Sequence, residues 1–154
     1  MKVSDILRTK GNALYTVPPD EPLASAIEIM DDKDIGSLVV MERGDLAGML
    51  TFREVIALLV KNGGSLGAAT VRMAMDGTPL VCTPETDMDQ VRRMMLDCHA
   101  RYMPVMEQRM LMGVVSFYDV AKAVVEQQNF ENRMLKAYIR DWPEGDDARP
   151  ADAR

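Results

Sequence analysis

The sequence predicts an α/β (α+β) fold of two β-α-β-β-α repeats, packed by their sheets around a pseudo-twofold axis. Three observations predict it. A shift of 65 residues aligns Val17–Leu59 with Cys82–Val124 without a gap. Identical pairs include Pro19/Pro84, Met30/Met95, Val40/Val105, Gly48/Gly113, Phe52/Phe117 and Val55/Val120. Within each copy, short apolar runs alternate with segments of helical period. Finally, a unit of about 60 residues has few buried positions, so two copies are expected to share a core.

The elements follow in order. "ALYTV" and "PLVCT" are apolar runs ending near a proline, as first strands would. Leu23, Ala26, Ile27 and Met30 then fall at i, i+3, i+4 and i+7, and in the second copy Met88, Val91 and Met95 fall at i, i+3 and i+7, with Met94 beside them. Asp20 and Glu85 stand near these helix starts, where the helix dipole favours acids. "SLVVME" and "YMPVME" read as second strands, "DLAGMLTF" and "MLMGVVSF" as third strands, with a turn at Arg43–Asp45. "FREVIALLVKN" and "FYDVAKAVVEQ" are amphipathic helices. Upstream, "VSDIL" and "VRMAM" match at a shift of 68. These readings give a first repeat at 1–62, a glycine-rich linker at 63–70 and a second repeat at 71–127. A C-terminal helix follows at 128–142, with Phe130, Met134, Leu135 and Tyr138 at helical spacing. A polar, disordered tail is expected at 143–154.

Composition narrows the function. Of 154 residues, 47% are hydrophobic and 27% charged, and the net charge is −6. An acidic chain repels phosphate backbones, so nucleic acid is not an expected partner. No run approaches the length of a membrane span, and the N-terminus lacks a signal-peptide pattern. A cytoplasmic setting is therefore expected, with Cys82 and Cys98 as reduced thiols. His99 is the single histidine and has no ligand set around it, so it reads as a polar helix end, and no metal is expected. The fourteen methionines fall mostly at apolar positions and read as packing residues. No set of base and nucleophile, or of paired acids, suggests an enzyme.

One motif occurs twice. "GMLTFREV" and "GVVSFYDV" each place a hydroxyl residue three positions before an acid, at a helix start. Thr51 with Glu54, and Ser116 with Asp119, can be capping boxes and nothing more. The same geometry can also hold a ligand. A helix N-terminus suits a phosphate, and a carboxylate beside it can accept both hydroxyls of a ribose. Each charge-assisted hydrogen bond contributes roughly 1.5–3 kcal/mol, and a micromolar ligand needs about 8 kcal/mol.

The doubled β-α-β-β-α pattern with "G-h-h-[ST]-x-x-[DE]", together with "TVPPDEPLASAIEIM", "IGSLVV" and "ARYMPV", resembles the CBS domain. Two in tandem form a Bateman module. The resemblance implies a regulatory module that binds adenosine-containing ligands between its repeats: AMP, ADP or ATP first, with NAD(H) or S-adenosylmethionine as further candidates. In that family the motif's acid holds ribose hydroxyls. The implied second-repeat site comprises Ser116, Tyr118 and Asp119, with Arg101, Tyr102, Met103 and Pro104 before and in the second strand. Lys10, Asn12, Ala13, Tyr15, Thr16, Ile35 and Gly36 would line it from the first repeat. The implied first-repeat site is weaker: Thr51, Arg53, Glu54 and Ser37, with Thr78, Pro79, Leu80 and Val81. Glu54 there replaces the usual aspartate and is one methylene longer. Gly36 would leave room for a dinucleotide. The resemblance also implies a homodimer and an unidentified protein target. The rival expectation is a ligand-independent interaction module whose boxes only cap helices.

Overall fold

Val3 and Ile6 lie one turn apart and are both buried, so Val3–Lys10 forms an amphipathic helix, α1. Gly11, with φ of +92°, ends it. The computed structural model describes residues 1–11 and 13–140. The predicted tail at 143–154 and candidate Asn12 lie outside them. The described residues divide into two units, Met1–Val120 and a second that begins at Ala121.

In the first unit, "ALYTV" contributes only β1, Thr16–Val17. Pro18 follows and has no N–H to continue the ladder. Helix α2, Leu23–Lys33, buries Leu23, Ala26 and Met30 and ends at Asp34 in the left-handed conformation. Strands β2, Ser37–Glu42, and β3, Asp45–Thr51, pair antiparallel around the two-residue turn Arg43-Gly44. β1 pairs parallel to β2, giving the order β1-β2-β3. Helix α3, Phe52–Lys61, follows directly. Leu38, Val40 and Leu50 form a core with α2 and α3. Val39 and Met49 pair across the ladder on the opposite face and are also buried. This sheet is therefore covered on both sides, as the nearly continuous apolar run "SLVVM" requires.

The second copy repeats the plan. Helix α4, Val71–Ala74, is a single turn, and helix α5, Met88–Cys98, buries Met88, Val91 and Met95. His99 ends α5 in the left-handed conformation, the place Asp34 takes in α2. Strands β4, Tyr102–Glu107, and β5, Met110–Ser116, form a second sheet. Both sheets carry a register shift at the same step, Val40/Met41 and Val105/Met106. The expected first strand "PLVCT" shrinks to a single parallel bridge, Cys82 with Val105. Beyond it the Thr83 N–H donates to the Thr86 hydroxyl at 2.9 Å, which ends the pairing. Helix α6, Phe117–Arg140, begins directly after β5 and runs without a break through position 128. In the second unit it continues from Ala121 to Arg140, with Phe130, Met134, Leu135 and Ile139 exposed.

The pseudo-twofold axis is written in exchanged hydrogen bonds. The Val3 N–H donates to Thr86 O, and the Val71 N–H to Glu21 O. The Ser4 N–H donates to Pro84 O, and the Arg72 N–H to Pro19 O. Each leading helix thus docks on the repeat it does not precede in sequence. Asp20 and Glu85 are drawn into this exchange. Asp20 pairs with Arg72 at 3.6 Å and Glu85 with Lys2 at 2.7 Å.

Candidate functional site

The second hydroxyl–acid motif sits where β5 turns into α6. Extended backbone ends at Ser116, and helical backbone starts at Phe117. The Asp119 N–H donates to Ser116 Oγ at 3.0 Å, and the Ser116 N–H donates to Asp119 Oδ2 at 2.9 Å. This is a complete reciprocal cap. The neighbouring Phe117 N–H donates to the Arg101 carbonyl at 2.8 Å. Tyr102 stands directly opposite Ser116 in the ladder.

Lys10 completes the group. Its ammonium donates to Asp119 Oδ2 at 2.7 Å and to the Val114 carbonyl at 2.9 Å. The sequence offered both residues as candidates but did not pair them. The pairing follows from α1 docking against β5, where Leu7 packs over Gly113. Only 17% of the Asp119 side chain is exposed. Burial raises its carboxyl pKa, but Lys10 and the Ser116 amide outweigh burial and hold it below 3.8. Asp119 is therefore a carboxylate at neutral pH. No hydrogen bond among the described residues reaches its Oδ1.

The other expected members of this site are less closely gathered. Tyr102 packs on Gly36: its hydroxyl lies 2.0 Å from where a Cβ on that glycine would stand. The room expected above Gly36 for a dinucleotide is thus filled by the tyrosine. Ile35 and Gly36 line a separate concavity of about 470 Å³, with Phe52 and the last turns of α2. Asp119 lies outside it and outside a larger one, about 650 Å³, at the hairpin tips near Gly44 and Gln108. Met103 and Pro104 are buried within β4, whereas the Arg101 and Tyr118 side chains are exposed. Tyr15 carries the Lys33 ammonium over its ring at 5.8 Å, and Thr16 pairs with Val39 in the sheet. Ala13 is exposed.

The first-repeat site has a similar outline and different chemistry. Ser37 stands opposite Thr51 in the ladder. The Thr51 N–H donates to Glu54 Oε2 at 3.1 Å, and its hydroxyl donates to the same oxygen. The Thr51 hydroxyl also accepts from the Glu54 N–H, so the two motifs share one capping pattern and differ in what stands beside the acid. No cation among the described residues lies within ion-pair distance of Glu54, and Arg53 is exposed. The Thr78 N–H and hydroxyl both turn to Asp76 Oδ1, at 3.0 and 3.4 Å. No hydrogen bond among the described residues joins Thr78, Pro79, Leu80 or Val81 to Thr51, Arg53 or Glu54.

Elsewhere the chemistry is quiet. Burial pushes the Cys82 thiol up to about 12, which makes it a poor nucleophile. No group of three metal-ligating side chains lies together among the described residues. No described helix is long and apolar enough to cross a membrane.

A doubled β-α-β-β-α unit with exchanged leading helices and a helix-capping acid at each motif defines a class, the tandem α/β repeat pair. The family comparison gives it a name: the CBS domain model matches residues 3–61 and 71–126. The chain belongs to the CBS domain family, as a pair. It is 29% identical over 147 residues to the mitochondrial CBS domain-containing protein CBSX3 of Arabidopsis thaliana, covering 90% of this chain and 71% of that one. Among solved structures it resembles the CBS-domain containing protein ATU1752 of Agrobacterium tumefaciens. The TM-score is 0.75 at 30% identity, over 80% of this chain and 98% of that one. It shares its fold with CBSX2, solved in complex with AMP, at a TM-score of 0.69 and 23% identity, over 82% and 98% of the two chains.

Proposed function

We propose that this CBS pair is a regulatory, non-catalytic module that binds an adenine mononucleotide at the Ser116–Asp119 motif. AMP, ADP and ATP are its foremost ligands. The observation that carries this reading is the Asp119 carboxylate: ionised, mostly enclosed, and with Oδ1 free of hydrogen bonds among the described residues. A ribose diol could donate to Oδ1 without breaking the helix cap. The AMP complex of CBSX2 supports the ligand class. Since Tyr102 fills the space over Gly36, mononucleotides are favoured over NAD(H). The first-repeat motif, with no cation beside its acid among the described residues, is the weaker site.

Phe52, Ile56 and Val60 form an exposed apolar stripe at i, i+4 and i+8 on α3, which supports a homodimer. A single-monomer boundary in sedimentation at micromolar concentration would remove that part of the proposal. The cytoplasmic setting and a protein target that reads the bound state belong to the same proposal.

Calorimetric titration of nucleotide-stripped protein tests the core of it, with AMP, ADP, ATP, NAD(H) and S-adenosylmethionine as ligands. Micromolar binding of an adenine mononucleotide is expected, and Asp119→Ala should abolish it while destabilising the fold by only about 1 kcal/mol through the lost cap. If no ligand gives heat, or if Asp119→Ala binds like wild type, the boxes are caps and the protein is an interaction module.

A further inference from the structure

We propose that Lys10 makes the Asp119 site select phosphate-bearing adenosine ligands over the corresponding nucleosides. This rests on the nucleotide reading above and adds the residue that sets its specificity.

The argument begins with hydrogen counting. An ammonium has three donors and no acceptor. Two of the Lys10 donors are committed, to Asp119 Oδ2 at 2.7 Å and to the Val114 carbonyl at 2.9 Å. The third is uncommitted, and 41% of the side chain is exposed. The Val114 carbonyl belongs to the β5 backbone, so the ammonium is pinned at this spot by main chain as well as by charge. A nucleotide whose ribose reaches Asp119 carries its phosphate only one sugar's width from that carboxylate. Alone, the carboxylate would repel the phosphate in a partly enclosed site. Lys10 cancels that charge in place and has one hydrogen left to offer. A nucleoside gains nothing from either effect.

The feature is particular to this site. At the shift of 68 that relates the leading segments, Thr78 stands where Lys10 stands. Thr78 spends its N–H and hydroxyl on Asp76, and no cation among the described residues meets Glu54. The first-repeat motif therefore has an uncompensated carboxylate, and phosphate selectivity is expected of the second-repeat motif only.

The test compares AMP and adenosine as probes on the full chain, by calorimetry, in wild type, Lys10→Met and Lys10→Arg. Wild type should prefer AMP. Lys10→Met should lose that preference by about tenfold or more, with adenosine binding unchanged or slightly stronger. Lys10→Arg keeps the charge and should keep most of the preference. If wild type binds AMP and Lys10→Met has the wild-type AMP-to-adenosine ratio, the proposal is wrong and the nucleotide reading stands. The proposal is equally wrong if Lys10→Met loses both ligands to the same extent, since Lys10 is then only a support. If wild type binds neither probe, the nucleotide reading fails and takes this proposal with it.

Discussion

Asp119 shows at the scale of one residue how a cap can also be a charge. Burial opposes its ionisation, yet Lys10 and the Ser116 amide hold its pKa below the ordinary value of 3.8. The folded state thus binds the proton less readily than the unfolded state does. Its interactions stabilise the fold fully above the unfolded value, and that stabilisation is lost as pH falls through the lower, folded value. Asp119→Asn should therefore melt below wild type at neutral pH. The gap should begin to narrow as pH drops under about 4 and close only below the folded value, where both side chains are neutral. Melting temperatures measured from pH 7 down to pH 3 check this, and a gap that stays constant would mean that Lys10 and the amide do not favour the charged form. The sequence already showed Asp119 as half of a cap. It could not show Lys10 beside it, because 109 residues separate the two and only the docking of α1 on β5 joins them.

At the scale of elements, the paired glycines explain how the leading helices approach the sheets. Gly48 and Gly113 hold equivalent positions in β3 and β5, and each faces the leading segment of the other copy. A Cβ on Gly48 would lie 2.5 Å from the Asp76 backbone oxygen, part of the two-way Met49–Asp76 bridge. A Cβ on Gly113 would meet only the Leu7 side chain, 2.7 Å from its Cδ2. Backbone held by two hydrogen bonds yields less than the end of a leucine. Gly48→Ala is therefore expected to destabilise by about 1–3 kcal/mol, and Gly113→Ala by less. Chemical denaturation of the two variants gives the order, and equal losses would show that Leu7 is as rigid as the bridge. The alternation of strand and helix was legible because each element carries its own period. The brevity of β1, and the collapse of "PLVCT" to one bridge, were not. Those depend on where Pro18 and the Thr83–Thr86 hydrogen bond end the pairing, and apolar character does not report that.

For the whole molecule, the repeat in sequence and the unit of packing are offset from each other. The duplication was legible at 65 residues, and with it the two-lobed α/β plan and the matching motifs. The destination of the leading segments was not legible, since either lobe offers an equivalent turn to dock on. The structure settles it by exchange: α4 and Ala69 join the core of Val17, Leu23, Leu38 and Leu50, while the amides of Val3 and Ser4 bond to the Pro84–Thr86 turn. Cutting the chain at the end of the first repeat therefore removes Val71 and Ala69 from that core and leaves α1 without its partner. A fragment of residues 1–62 should be largely unfolded. A fragment of residues 14–81 is scarcely longer, but it keeps β1 through α4 together with the Met49–Asp76 bridge. It should show helical circular dichroism and a cooperative melt, though a less stable one than the intact chain, because the sheet face of Val39 and Met49 is then open to water. If 1–62 melts cooperatively at the same temperature as 14–81, the exchange contributes little. The lobes would then be independent, and a ligand between them could not be read out through the exchanged helices.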